Sequence, residues 1–255
     1  MKKTLVTLAS FLLMNAPFAF AQSSIPIFTS EWRPLVSEQL PRNGPIAEIV
    51  AAACKAAAIK MDLKFAPWVR TETMVKSGQA FAAFPYVDTV DRRAKYWVSD
   101  PIYVEKTVLF FYLGNPKTPA AFSELKTDFL KDFSIGTVRG SYLGELMPQL
   151  GYDKYVETNS VDSAAQMLQK GRLDFLAIAP SVGKDAFQRL FPTQLEQFLI
   201  VHQSPFPPKS SNVMIISKDF PQAKELLAQF NKGLAAIKKS GEYKKILSQY
   251  SLDIE

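Results

Sequence analysis

The stretch SDPIY, residues 99–103, interrupts an otherwise regular alternation of strand-like and helix-like segments. Before it, short β-type runs alternate with helical patterns, of which the alanine-rich segment 45–59 is the clearest. After it, the strongly apolar run KTVLFFYL at 106–113 begins a second series of strands and helices. Such alternation is typical of an α/β protein with helices on both faces of a mainly parallel sheet.

A second interruption, VHQSPFPPK at 201–209, precedes one more strand and a helical tail. If the chain crosses between two bodies at both interruptions, it leaves a first lobe, builds a second and returns to finish the first. Two α/β lobes with a double connection form a cleft at the carboxyl ends of their strands and can close about a hinge. The predicted division is a first lobe of 22–101 and 206–255, a second lobe of 106–200, and hinge segments 102–105 and 201–205.

The N-terminus predicts secretion. Lys2 and Lys3 precede an uncharged apolar run that ends in Ala19-Phe20-Ala21, with small residues where a signal peptidase reads. This pattern indicates a signal peptide over residues 1–21 that is cleaved on export to the periplasm. The run is too short for a membrane-spanning helix, and no later stretch is apolar enough for one, so the mature protein is not expected to be embedded in a membrane.

Composition narrows the function classes further. The formal net charge of +6 is modest and dispersed, without the basic runs that indicate nucleic-acid binding. The only cysteine, Cys54, lies in an alanine-rich apolar segment and is predicted to be a small core residue. One histidine, His202, cannot supply a His cluster, and no nucleophile motif, metal-ligand spacing or glycine-rich phosphate loop occurs. The sequence therefore predicts neither an enzyme nor a metal or cofactor site.

Several motifs follow one another in a characteristic order over some two hundred residues. They are Trp32-Arg33-Pro34-Leu35, Thr89-Val90-Asp91-Arg92, Ser99-Asp100-Pro101-Ile102-Tyr103, Gly136 to Tyr142 (GTVRGSY), and Gly171-Arg172-Leu173-Asp174. With them the chain resembles the extracellular solute-binding proteins of family 3, the type II periplasmic binding proteins of amino-acid ABC transporters. The resemblance implies an α/β fold of two lobes, with two doubly wound mixed sheets joined by a double hinge. It also implies a monomer that carries a small-molecule solute to an inner-membrane ABC permease.

The resemblance assigns Arg92 to the carboxylate group of the ligand. A planar guanidinium can hold a carboxylate with two parallel hydrogen bonds, which lysine cannot do. Without the resemblance, Arg92 reads as a surface arginine of the Asp91-Arg92-Arg93 cluster. Ser141 and Tyr142 open a helix after Gly140, and free backbone N–H groups there can bind an anion. A serine that only caps the helix would look the same in sequence.

Four further residues complete the predicted ligand-binding set. Trp32 matches an aromatic side chain that stacks on the ligand from the first lobe, and its alternative is a core tryptophan. Arg139 either adds charge to the cleft or points to solvent. Tyr86 and Val87, just before the TVDR motif, are expected to line the site. Trp68 is also family-like and is assigned to packing.

The sequence departs from the family where an amino acid's ammonium group is usually bound. Pro85 and Val87 replace a glycine and a hydroxyl residue, and Ala179 stands where an aspartate is usual. A buried ammonium without an anionic partner costs several kcal/mol. We therefore expect an anionic or neutral solute, or an amino acid held in an altered way. The candidate replacement carboxylates are Glu31, Asp88 and Glu105.

The predicted function is that of a periplasmic binding protein that captures a small polar, carboxylate-bearing solute between its lobes. Two alternatives remain at this level. Some relatives on the fold are cyclohexadienyl-type dehydratases, and Arg92, Arg139 and Glu105 would be the residues to carry such chemistry. Others are ligand-sensing partners of membrane receptors.

Overall fold

A computed structural model describes residues 24–117, 127–201, 205–207 and 209–250. The predicted signal peptide, His202 and residues 202–204 of the second predicted hinge segment lie outside this described part. None of the described helices is long and apolar enough to cross a bilayer.

Strands and helices alternate along most of the chain. The strands are β1 (Ile25–Thr29), β2 (Met61–Phe65), β3 (Ala82–Val87), β4 (Trp97–Val98), β5 (Tyr103–Glu105), β6 (Val108–Tyr112), β7 (Ile135–Val138), β8 (Tyr155–Thr158), β9 (Phe175–Ile178), β10 (Phe198–Ile200) and β11 (Ser210–Ile216). The α-helices are α1 (Pro45–Ala56), α2 (Trp68–Lys76), α3 (Val90–Lys95), α4 (Tyr142–Gln149), α5 (Val161–Gln169), α6 (Pro180–Leu190), α7 (Ala223–Ser240) and α8 (Glu242–Gln249). Short 3₁₀ helices lie at Pro41–Asn43, Thr127–Asp132 and Leu195–Gln197.

The strands form two mixed sheets. In the first sheet the order is β2-β1-β3-β11-β4, and β5 also pairs with β11. Here β1 runs parallel to β2 and β3, whereas β11 is antiparallel to β3, β4 and β5. The second sheet has the order β10-β6-β9-β7-β8, with parallel β7 pairs and antiparallel β6 pairs. The predicted fold class, α/β with two mixed sheets, is confirmed.

The chain passes between the sheets twice. It leaves the first sheet after Glu105, enters the second at Val108, and returns between Ile200 and Ser210. Because β5 pairs with β11, the two crossings start and end side by side on the first sheet. The segment predicted as the first hinge is therefore largely a short strand. The boundaries of the lobes and hinges stay a prediction.

The core is built from the apolar faces that the sequence pattern indicates. Helix α1 packs on α7, and Gly233 of α7 lies so close that an added Cβ would stand 2.1 Å from the Ala53 carbonyl oxygen. Cys54 lies in the same layer and is 1% exposed. Burial raises the pKa of its thiol to about 12. The prediction that Cys54 is a core residue is confirmed.

Candidate ligand-binding site

A cavity of about 60 Å³ lies between the two sheets, where the carboxyl ends of β3, β7 and β9 meet. We call its two sides the first-sheet wall and the second-sheet wall. The first-sheet wall consists of Trp32, Trp68, Pro85, Tyr86, Val87, Arg92, Glu105 and Asn212. The second-sheet wall consists of Thr107, Thr137, Val138, Gly140, Ser141, Tyr142, Leu143, Ala177, Ile178 and Ala179.

The turn from β3 into α3 directs Arg92 into the cavity. Thr89 is the N-cap residue of α3, and its hydroxyl oxygen accepts a hydrogen bond from the Arg92 backbone N–H at 3.2 Å. This capping bond satisfies one of the N–H groups that a helix start leaves unpaired. Arg92 thus stands in the first turn of α3, just beyond the end of β3, and only 2% of it is exposed.

The Arg92 guanidinium joins the two walls without an acidic partner. Its Nη1 donates to the Val87 carbonyl oxygen at 2.8 Å, and its Nη2 donates to the Gly140 carbonyl oxygen at 3.4 Å. The group also lies over the Tyr86 ring, 4.9 Å from the ring centroid. Its Nε is buried without a hydrogen-bond partner. Within the described part of the chain, no carboxylate pairs with Arg92, so this buried cation can take an anion.

Three aromatic rings stand beside Arg92 on the first-sheet wall. Trp32 and Trp68 meet edge to face at 5.9 Å between centroids, and Trp68 meets Tyr86 in the same manner at 5.3 Å. The Tyr86 hydroxyl is fixed by Thr71 and by donation to the Trp68 carbonyl oxygen at 3.1 Å. Burial raises the Tyr86 pKa, so the phenol stays neutral. Trp68, assigned to packing from sequence, both packs here and lines the cavity.

Glu105, at the end of β5, is the one carboxylate of the first-sheet wall among the residues described. Its Oε1 accepts long hydrogen bonds of 3.4 Å from the Tyr103 hydroxyl and from Asn212 Nδ2. The residue as a whole is half-buried, but Oε2 is buried and has no hydrogen-bond partner. Desolvation raises the pKa of the Glu105 carboxyl to about 7, and the two donors offset this only in part.

The second-sheet wall offers hydroxyl groups. Ser141 occupies the N-cap position of α4 but makes no capping bond, and its hydroxyl instead pairs with the Thr137 hydroxyl at 2.9 Å. The Tyr142 hydroxyl pairs with that of Thr107 at 2.8 Å. Desolvation raises the Tyr142 pKa as well. The first backbone N–H groups of α4 begin at this wall, and a helix leaves such groups without intrahelical partners.

Beside the cavity lies a larger opening of about 660 Å³, which we call the outer cleft. Arg139 is exposed and lines the outer cleft, not the cavity. Glu31 lines the same cleft, is exposed, and accepts the Glu38 backbone N–H at 3.0 Å. Trp68 borders both spaces.

Of the seven residues predicted to bind ligand, six line the cavity: Trp32, Tyr86, Val87, Arg92, Ser141 and Tyr142. The seventh, Arg139, lines the outer cleft, and the ligand-binding role of all seven residues stays a prediction. Sequence reasoning missed Thr137, Thr107 and Asn212. A hydroxyl at the end of a strand that leads into a helix, as in GTVRGSY, could have indicated Thr137, because ligands bind at such strand ends.

Ala179 follows β9, is 4% exposed and lines the cavity. The position at which the resemblance leads us to expect an aspartate therefore faces the same space as Arg92, but with a methyl group. Among the described residues, no group of three or more His, Cys, Asp or Glu side chains could hold a metal ion.

The sequence matches the family model of the bacterial extracellular solute-binding proteins, family 3, over residues 32–253. The chain belongs to this family. No curated protein sequence matches it. The match includes every residue that lines the cavity and every strand except β1.

Solved structures share the fold at low sequence identity. A histidine kinase sensor domain similar to periplasmic binding proteins has a TM-score of 0.77 at 18% identity, covering 91% of this chain and 96% of the other. The arginine-, lysine-, histidine-binding protein ArtJ of Geobacillus stearothermophilus has a TM-score of 0.74 at 18% identity, covering 90% and 95%. The ancestral amino-acid-binding protein AncCDT-1, a precursor of cyclohexadienyl dehydratase, has a TM-score of 0.69 at 17% identity, covering 89% and 94%.

Proposed function

We propose that this protein is a periplasmic solute-binding protein that holds a small carboxylate-bearing solute in the cavity and delivers it to an ABC transporter. Residues 1–21 would direct export and be removed. Residues 22–101 and 206–255 would form one lobe and 106–200 the other, closing about segments 102–105 and 201–205. The protein would act as a monomer without a cofactor.

One observation carries this proposal: Arg92 is a buried guanidinium with an unpaired Nε in a cavity between the two sheets. A buried cation is costly unless it is paired. The two carbonyl oxygens of Val87 and Gly140 satisfy part of its donor set but bring no negative charge. A solute carboxylate would supply that charge, and because Gly140 belongs to the second sheet, it would do so at the point where the walls meet.

The size and lining of the cavity favour a small solute. About 60 Å³ is room for roughly four water molecules. Aromatic rings of Trp32, Trp68 and Tyr86 cover one side, and the hydroxyls of Thr137 and Ser141 can add neutral hydrogen bonds on the other. This combination of apolar faces and a few polar groups is typical of small-molecule sites.

A dehydratase is the second candidate, favoured by the raised pKa of Glu105 in the cavity that Arg92 also lines. A carboxyl that titrates near 7 is suited to general acid–base catalysis. One observation weighs against it. Arg139 lies in the outer cleft, which leaves Arg92 as the one described arginine of the cavity. Absence of prephenate turnover would exclude this candidate.

Ligand sensing for a membrane receptor would use the same cavity and the same closure. Transport and sensing therefore differ in the partner and not in the site. Loss of uptake of the bound solute in a deletion strain would support transport, whereas loss of a transcriptional response with normal uptake would support sensing.

The binding proposal is tested by thermal-shift and calorimetric screening of the purified protein with amino acids, dicarboxylates, aromatic acids and polyamines. We expect at least one carboxylate to stabilise the protein, by about 2.7 kcal/mol at one hundred times its Kd. Arg92→Ala should lower the affinity for that carboxylate by about 30-fold or more, because the substitution removes the buried cationic partner. Arg92→Lys should recover only part of the loss, since a lysine lacks the planar fork.

Arg93→Ala is the matched control, because Arg93 is the exposed neighbour whose guanidinium pairs with Asp88 outside the cavity. Its affinity should stay within about threefold of the unmodified protein. Stabilisation by polyamines alone, or full affinity in Arg92→Ala, would contradict the proposal.

A further inference from the structure

Three carboxylates are candidates to replace the aspartate that is missing at position 179, and the structure separates them. Asp88 is occupied by Arg93, which donates to it from both Nε and Nη2. Glu31 is exposed in the outer cleft and accepts a backbone hydrogen bond. Glu105 lines the cavity itself.

One carboxylate oxygen of Glu105 receives no hydrogen bond. Both hydrogen bonds that it receives go to Oε1, and at 3.4 Å they are long for charged acceptors. Oε2 is buried and receives none. Removing a carboxylate oxygen from water without a donor is costly, so a solute that brings a donor to Oε2 would recover this energy.

We propose that Glu105 is the second recognition residue of the cavity, and that the solute carries a protonated amine for its Oε2 besides the carboxylate for Arg92. This inference rests on the proposed binding function. It makes the solute a small amino carboxylic acid whose ammonium is held from the first-sheet wall, where Glu105 lies, and not from the second-sheet wall, where Ala179 lies.

Among the charged and titratable groups around Glu105, Glu105 itself is the one that changes its charge near neutral pH. Tyr103 on its own strand and Tyr142 from α4 have raised pKa values and stay neutral at physiological pH. Arg92 from α3 lines the same cavity, and Asn212 from β11 does not titrate. Glu105, with a pKa raised to about 7, therefore changes charge near neutral pH.

The sign of the pH dependence identifies the solute group. An ammonium favours the ionised carboxyl and lowers its pKa, so binding near pH 7 releases protons. Affinity then rises with pH, by up to about tenfold per pH unit below the pKa of free Glu105, and levels off above it. A second carboxylate on the solute would favour protonated Glu105 and give proton uptake and the opposite slope.

The probes for the test are the standard amino acids and 4-aminobutyrate, each beside the carboxylic acid that lacks its amino group, with malonate and succinate as dicarboxylates. We expect an amine-bearing probe to bind more tightly than its partner acid. Glu105→Gln should weaken the amine-bearing probe by about 30-fold or more and flatten its pH dependence. The affinity of Glu105→Gln for the partner acid should change by less than about threefold. The affinity of Glu31→Gln for both probes should also change by less than about threefold.

Calorimetry of the unmodified protein in two buffers of different protonation enthalpy gives the proton count without any variant. Proton release near pH 7 supports the inference, and proton uptake or preference for a dicarboxylate overturns it. If a carboxylate binds through Arg92 and Glu105→Gln changes nothing, the inference is wrong while the proposed function stands. If no carboxylate binds, both are wrong.

Discussion

The two walls of the cavity differ in the kind of groups they present. The first-sheet wall carries Arg92 and Glu105, the two cavity-lining side chains that can be charged near neutral pH, together with three aromatic rings. The second-sheet wall carries hydroxyl groups, backbone and apolar side chains, among them Ala179. The walls are joined by the Arg92 bond to the Gly140 carbonyl oxygen.

This difference between the walls implies that they have different roles in binding. Charged groups that select the solute would act from the first-sheet wall before closure, and the second-sheet wall would cover the solute without adding a charge. Charge-assisted hydrogen bonds are stronger than neutral ones, so the first-sheet wall should dominate affinity. Substitutions on the two walls should therefore have different signatures.

The largest expected effect concerns the cost of charging Glu105. Because its pKa is raised to about 7 in the folded protein from 4.5, the folded state holds more protons than the unfolded state between these values. The stability of the unliganded protein should therefore fall as pH rises through this window. Glu105→Gln removes this dependence, so its free energy of unfolding relative to the unmodified protein should rise by roughly 2 kcal/mol from pH 5 to pH 8.

Urea unfolding at the two pH values measures this change. The exposed Glu31→Gln serves as the control, with an expected change below about 0.5 kcal/mol. An equal offset for Glu105→Gln at both pH values would show that the first-sheet wall does not hold a costly charge.

Most of the fold could be predicted from the sequence, because long apolar patterns mark its main helices and strands. Helix α1 and strand β6 lie close to the predicted segments 45–59 and 106–113, and the predicted helical tail corresponds to α7 and α8. The interruptions at 99–103 and 201–209 lie at the two crossings. Strands β4 and β5 were missed, since two or three residues cannot display a period. Their partner β11, far along the chain, stabilises them.

The site was less predictable, for two reasons. A sequence indicates that an arginine follows a strand, but the burial of Arg92 depends on the second sheet covering it. Glu105, Asp88 and Glu31 were equivalent in sequence, and only tertiary contacts separate a carboxylate in the cavity from one paired with Arg93 and one in the outer cleft. Likewise, the role of Ser141 depends on Thr137, which takes its hydroxyl away from the helix start.

A smaller effect is expected at the junction of the walls. Gly140 has a φ of +81°, and an added Cβ would stand 2.9 Å from Cβ of Trp68 on the opposite wall. Gly140→Ala should lose about 1 kcal/mol of stability from backbone strain. It should also weaken the best carboxylate probe by about tenfold, since overpacking at closure costs 1–3 kcal/mol.

Gly241→Ala is the matched control for the strain alone, because Gly241 has a φ of +85° and nothing within 4 Å of an added Cβ. Denaturant unfolding should show similar losses for both variants, and calorimetry should show weaker binding only for Gly140→Ala. Equal affinities would mean that the Trp68–Gly140 approach plays no part in closure.

The smallest expected effect concerns an ion pair outside the cavity, between Arg33 near the first-sheet wall and Asp185 on α6. Arg33, beside Trp32, stands with its Nε 3.6 Å from Oδ2 of Asp185 on α6, and Arg189 Nε approaches the same oxygen at 2.7 Å. Because Arg189 already neutralises Asp185 and water reaches the outer cleft, a double-mutant cycle of Arg33→Gln and Asp185→Asn should give a coupling of at most about 1 kcal/mol in probe affinity. The coupling should shrink in 0.5 M salt, where the Debye length falls to roughly 4 Å. A salt-resistant coupling well above this limit would mean that charge–charge contact across the walls drives closure. The elements of the second sheet would then contribute to closure through the charge of Asp185 as well as through the neutral second-sheet wall.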